Sequence, residues 1–103
     1  MKQLLLGLAL LALTAAAPPA STVHLRNDAF TPASITVHTG DVVQFVNDDD
    51  DAHTVTAVDG SFDSRGLDSH NSWTHVFAKA GTYKYFCELH PFMKGTVIVK
   101  NRS

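Results

Sequence analysis

Cysteine, histidine and methionine stand three residues apart in Tyr85-Phe86-Cys87-Glu88-Leu89-His90-Pro91-Phe92-Met93. Cys87 is the only cysteine of the chain, and Met93 is its only methionine besides Met1. A thiolate, an imidazole and a thioether bind soft or borderline metals, and as a set they favour copper over magnesium or calcium. A trigonal copper site with a weak axial thioether needs a second imidazole. His53, in Ala52-His53-Thr54-Val55, is the natural candidate. In that assignment Cys87 gives the thiolate, His53 and His90 the in-plane nitrogens, and Met93 the long axial bond. One copper per chain, alternating between Cu(I) and Cu(II), then passes single electrons with little rearrangement.

Each of these residues taken alone has a plainer reading. A lone cysteine is often a small buried hydrophobe and a lone methionine fills gaps, while His53 fits a strand edge. Their coincidence at ligand spacing outweighs those readings. A Cys–His pair also occurs as nucleophile and base, but 103 residues leave little room for a substrate cleft. The chain has no P-loop, no H-E-x-x-H and no triad order, so the expectation is that it is not an enzyme. Zinc is disfavoured by the methionine, since zinc takes cysteine, histidine and carboxylates. The alternative function for the same ligands is a periplasmic copper carrier or buffer, for copper resistance or delivery.

The ligands must be held by strands. Val23–Leu25, Ile35–His38, Val42–Val46, His53–Val58, Trp73–Phe77, Thr82–Phe86 and Thr96–Val99 are short runs rich in β-branched and aromatic residues, several of them alternating with period two. Thr31-Pro32, Thr39-Gly40-Asp41, Asp59-Gly60-Ser61, Ala80-Gly81 and Lys94-Gly95 punctuate them as turns. The pattern predicts an all-β fold, an antiparallel Greek-key β-sandwich of about seven to eight strands. Cys87, His90 and Met93 then occupy a tight loop between two neighbouring strands, and His53 arrives from another loop at the same end. Asp59–Ser72, the longest connection, holds a turn of helix or crosses between sheets.

The first twenty residues read as a secretory leader. Met1-Lys2-Gln3 is a short basic start, Leu4–Leu13 an unbroken run of Leu, Ala and Gly, and Thr14–Ala20 a stretch of small residues and proline. The apolar run is too short for an ordinary membrane-spanning helix. The expected organisation is a signal peptide over 1–20, cut between 16 and 21, and one domain over 21–103, exported to the bacterial periplasm with no stable membrane insertion. Lys2 is the only charged residue before Ser21, so eight Lys/Arg and ten Asp/Glu become seven and ten in the mature part. That mild acidity, with no basic stripe, gives no support for a nucleic-acid partner, and none is expected. Export normally brings paired cysteines; a thiol without a partner is an accident, an intermolecular link or one kept for chemistry, and a bound metal would staple a domain this small.

The segment Val23–Lys100 resembles the cupredoxins, the type 1 (blue) copper proteins, of the plastocyanin/amicyanin type. The residues that carry the resemblance are Gly40-Asp41-Val42-Val43 with Asn47-Asp48, His53-Thr54-Val55, Gly60-Ser61-Phe62-Asp63-Ser64, Gly81–Cys87 and His90-Pro91-Phe92-Met93-Lys94-Gly95. The short C-x-x-H-x-x-M loop is similar to that of the amicyanins. The resemblance implies a copper ligand set of His53, Cys87, His90 and Met93. It also implies a monomeric one-electron carrier working transiently between larger redox partners such as a cytochrome or an oxidoreductase. Two positions depart from the pattern: Ala52 and Leu89 stand where relatives usually have proline. Leu89 keeps an N–H that proline lacks, and the expectation is a second hydrogen bond to the Cys87 sulfur beside one from Thr54. His90, Pro91 and Phe92 are expected to present an imidazole edge within an apolar rim. Asn47–Asp51 reads either as a docking patch for a basic partner or as a solvated turn. His24 and His38 are expected to face solvent, and His70 and His75 to form at most an adventitious surface pair.

Overall fold

The computed structural model describes residues 18–103, so the expected leader lies outside the described residues as far as position 17. Eight strands follow in order: β1 (Ser21–Arg26), β2 (Ala29–Thr31), β3 (Ser34–His38), β4 (Asp41–Asn47), β5 (Thr56–Ala57), β6 (Ser72–Phe77), β7 (Gly81–Phe86) and β8 (Lys94–Lys100). They form two four-stranded sheets, ordered β2-β1-β4-β6 and β3-β8-β7-β5. Period-two alternation drives their packing. Val23, Leu25, Val43 and Phe45 point inward from the first sheet, and Val37, Tyr85, Val97 and Val99 from the second, all buried. Each such side chain contributes roughly 1.5–3 kcal/mol on leaving water. The expected all-β sandwich is thus present.

Three features differ from the sequence reading. The sandwich is not purely antiparallel, because β1 runs parallel to β4 and β3 runs parallel to β8. Strand β2 was not expected. It pairs with β1 through a two-residue hairpin in which Asn27 and Asp28 both have φ of 56°, the left-handed pair that a type I′ turn requires. The expected strand His53–Val58 shrinks to Thr56–Ala57. Its amides are satisfied one by one instead: His53 N by Leu67 O, Thr54 N by the Cys87 sulfur, Val55 N by Ser64 Oγ and Ala57 N by Phe62 O. Residues 53–57 are all buried, so the segment threads between layers and has no solvent face to alternate with.

The connection from β5 to β6 carries no helix among the described residues and crosses from the second sheet to the first. It drops Phe62 into the core against Phe77 and Trp73, with ring centroids 5.4 and 6.0 Å away. It also brings Leu67 beside His53.

Candidate metal centre

Two pieces of chain build the site. Strands β7 and β8 pair antiparallel up to Phe86↔Lys94, and residues 87–93 close the turn between them. The Cys87 amide donates to Met93 O at 3.2 Å and the Met93 amide to His90 O at 2.8 Å. The loop backbone is therefore hydrogen-bonded to itself between the three residues the spacing singled out. Cys87 and Met93 are buried, and His90 is half-buried.

His53 comes from the segment between β4 and β5. Its amide and carbonyl both bond to Leu67, at 3.1 and 2.8 Å, which fixes the backbone at both ends of one residue. The buried Asn47 at the end of β4 holds the preceding loop. Its Nδ2 donates to Asp51 O at 2.8 Å and to Leu67 O at 3.0 Å, and its Oδ1 accepts the Asp49 amide at 2.9 Å. A buried amide satisfied this fully contributes rigidity without the cost of a stranded polar group.

The side chains then converge. His53 Nδ1 lies 3.1 Å from His90 Nδ1, and the Cys87 sulfur is 3.7 Å from the first and 3.8 Å from the second. A point equidistant from the three atoms is about 2.1 Å from each, close to the roughly 2.0–2.3 Å at which imidazole and thiolate hold a first-row ion such as zinc. The triangle therefore fits a metal ion without rearrangement. The His53 Nε2–H donates to Asp49 Oδ2 at 2.9 Å. A neutral imidazole carries one N–H, so Nδ1 is left with the lone pair that faces Cys87 and His90. Asp28 Oδ1 is a second carboxylate nearby, 3.6 Å from the same Nε2.

Around the sulfur, the Thr54 amide donates at 3.3 Å as expected. The Leu89 amide makes no such bond among the described residues, so its expected second hydrogen bond is absent. Thr54 does more than was foreseen. Its Oγ1 accepts the Glu88 amide at 2.8 Å and lies 2.9 Å from Thr56 Oγ1, which donates to Asp63 at 3.2 Å. One hydroxyl thus ties the His53 segment to the Cys87 loop.

The acidic run divides in two. Asp48 binds Arg26 and His24, both at 2.8 Å, and these two partners hold its carboxyl below the usual range. So His24, expected to face solvent, is half-buried and engaged. Asp49 turns inward. Burial by itself would raise its carboxyl, but the amides of Asp28 and Asn27 and the His53 ring outweigh burial and hold it below the usual range. Asp50 and Asp51 remain exposed. His75 stacks on Trp73 at 5.3 Å and packs against Phe62 and Phe77 rather than joining His70.

Asp49, Asn47 and Leu67 are the site residues that sequence reasoning missed. For Asp49 a signal was available: it stands four residues before His53, within reach of the ring.

The described fold and site define a small β-sandwich metalloprotein with a Cys–His–His donor triangle at one end. A family model for the cupredoxin-like domain matches residues 3–99. Amicyanin-alpha of Methylorubrum extorquens is 31% identical over 90 residues, covering 82% of this chain and 76% of that protein. Amicyanin of Paracoccus versutus is 30% identical over 86 residues, covering 79% of this chain. The chain spans only 65% of the Paracoccus versutus amicyanin and 53% of that of Paracoccus denitrificans. Among solved structures, the Cu(I) form of an amicyanin point mutant superposes with a TM-score of 0.76 at 28% identity, covering 82% of this chain and 86% of that one. A copper-containing nitrite reductase from Thermus scotoductus superposes at 0.77 and 27% identity, covering 86% of this chain but 24% of the reductase. This chain belongs to the cupredoxin family and is amicyanin-like.

Proposed function

We propose that the protein is a copper-binding one-electron carrier that shuttles transiently between larger redox proteins, such as a cytochrome or an oxidoreductase. The observation that carries this reading is the convergence of His53 Nδ1, His90 Nδ1 and the Cys87 sulfur on one point, with the Thr54 amide already donating to the sulfur. In it His53, Cys87, His90 and the buried Met93 would hold the ion, a soft set suited to copper. Copper bound there supplies the Cu(I)/Cu(II) couple. The protein's own part is to keep the ligands still: Asp49 orients His53, Leu67 clamps its backbone, and the hydrogen bonds of the 87–93 loop hold Cys87 and His90. Four protein ligands leave no position for a substrate, which supports a carrier rather than an enzyme. Donor atoms preset at these distances favour a resident metal over a cargo ion.

Leu89 and Phe92 are 57% and 67% exposed beside the half-buried His90, and this apolar rim suits brief contact with a partner. In this reading residues 21–103 are the mature domain and 1–20 an export leader to the bacterial periplasm. No helix among the described residues is long and apolar enough to cross a membrane. The test is a titration of the purified domain with Cu(II), followed by visible absorption. An intense blue band saturating at one equivalent is expected. A colourless or weakly absorbing product would remove Cys87 from the metal and with it the electron-carrier reading.

A further inference from the structure

The outward face of the second sheet carries charge of one sign. Lys84 and Phe86 point out from β7, and Lys94 and Thr96 from β8, in the register Lys84↔Thr96 and Phe86↔Lys94. Together with Val58 and Pro91 they line a groove of about 590 Å³, and no carboxylate lines it. Arg26 pairs with Asp48 and Arg102 with Asp41, while the other lysine and arginine side chains among the described residues, Arg65, Lys79 and Lys100 included, form no salt bridge. Lys84 and Lys94 have no such partner among the described residues. Lys84 and Lys94 lie diagonally across the strand pair, so both positive charges stand on the same outward face of the sheet. Its apolar part is open as well, since Val58 is 67% exposed. Three of the exposed acids, Asp28, Asp50 and Asp51, line a separate depression.

We infer that the β7–β8 groove is a docking face for an acidic protein, adjoining the Leu89–Phe92 rim at Pro91 and extending away from it along the sheet. Two lysines flanking apolar side chains fit a partner that presents carboxylates around an apolar contact, and such charge complementarity sets encounter rate and register. On the electron-carrier reading, on which the partner's redox role alone rests, the place is apt. Phe86 is bonded directly to Cys87, so a partner seated here lies one residue from the thiolate.

The test uses the copper-free, isotope-labelled protein, so that mapping does not depend on the metal. The probe is the soluble haem domain of cytochrome b5, an acidic redox protein, with a basic cytochrome c as its counterpart. Cytochrome b5 is expected to shift the amides of Val58, Lys84–Phe86 and Lys94–Thr96, more weakly at high salt, while the basic protein leaves them unmoved. The Lys84→Glu/Lys94→Glu variant should weaken binding at least tenfold, and Lys84→Gln/Lys94→Gln by an intermediate factor. Shifts confined to Leu89–Phe92, or binding indifferent to both double variants, would overturn the assignment. Concentration-dependent shifts of the same amides with no probe present would do so too, by placing a second copy of this chain in the groove. Groove binding in a protein that gives no blue band with Cu(II) would sink the electron-carrier reading and leave the docking face standing.

Discussion

The Asp49 carboxylate accepts the His53 Nε2–H at 2.9 Å and so decides which ring nitrogen faces Cys87. Asp49 is itself held by the amides of Asn27 and Asp28, at 2.8 and 3.0 Å, from the tip of the β1–β2 hairpin. A hairpin distant in sequence thereby sets the tautomer of a candidate copper ligand, the kind of outer support that conditions metal affinity.

Asp49→Ala should therefore lower copper affinity by about 10–100-fold, measured by competition with a chelator of known strength. Asp49→Asn retains a carbonyl acceptor and should recover part of the loss. Asp28→Asn removes a negative charge near the same nitrogen without removing the hydrogen bond. It should leave affinity nearly unchanged and raise the reduction potential by tens of millivolts, since the more positive Cu(II) state loses the larger attraction. Equal effects of the Asp49 and Asp28 variants on affinity would contradict the tautomer argument.

Tyr85 and Gly95 face each other across β7 and β8, and a Cβ at position 95 would overlap the Tyr85 ring at Cζ and Oη. The ring cannot swing away, being packed edge-on against Phe30 and Phe45 at centroid distances of 4.7 and 5.6 Å. Gly95→Ala should cost about 3 kcal/mol, the upper part of the range for overpacked cores, read from denaturant midpoints of the copper-free protein. Gly95→Ala combined with Tyr85→Leu should recover much of that loss, because the smaller side chain vacates the space.

His75 gives the fold a pH dependence. It is wedged among Trp73, Phe62 and Phe77, and burial lowers its pKa from 6.5. The unfolded chain then binds the proton more readily than the folded one. Its stabilising contribution is complete above 6.5 and is lost as pH falls through the lowered folded value. The melting temperature of the copper-free protein should drop between pH 7 and pH 5, and His75→Phe should flatten that part of the curve. An unchanged slope would assign the dependence to other groups.

The candidate ligand loop stood out because its residue types are rare in this chain and close together in it: Cys87, His90 and Met93 lie within one turn between paired strands. Most strands were legible from alternation alone. Alternation failed at residues 53–57, where burial on every side looks like a strand in sequence although each amide finds a different partner. The parallel pairings of β1 with β4 and β3 with β8 carry no local signal, because they join segments far apart in the chain. Four consecutive aspartates look alike in sequence. Only the returning hairpin and the position of His53 distinguish Asp49, turned inward, from Asp50 and Asp51, left in water.

Phe92 tests where the electron leaves. It is 67% exposed and its ring centroid is 6.1 Å from that of His90, so it contributes to the rim and little to the core. Phe92→Asp should leave the denaturant midpoint within about 0.5 kcal/mol of the parent, as is usual for surface substitutions. The visible spectrum of the copper-loaded protein should also be unchanged. Electron self-exchange is the sensitive quantity, because it requires two copies to meet at the same face. A carboxylate on that face adds like-charge repulsion to every encounter and removes apolar contact. The self-exchange rate, read from NMR line widths in mixtures of the Cu(I) and Cu(II) forms, should fall at least tenfold and recover partly with added salt. A rate within twofold of the parent would mean that two copies meet elsewhere, and that His90 is not the exit.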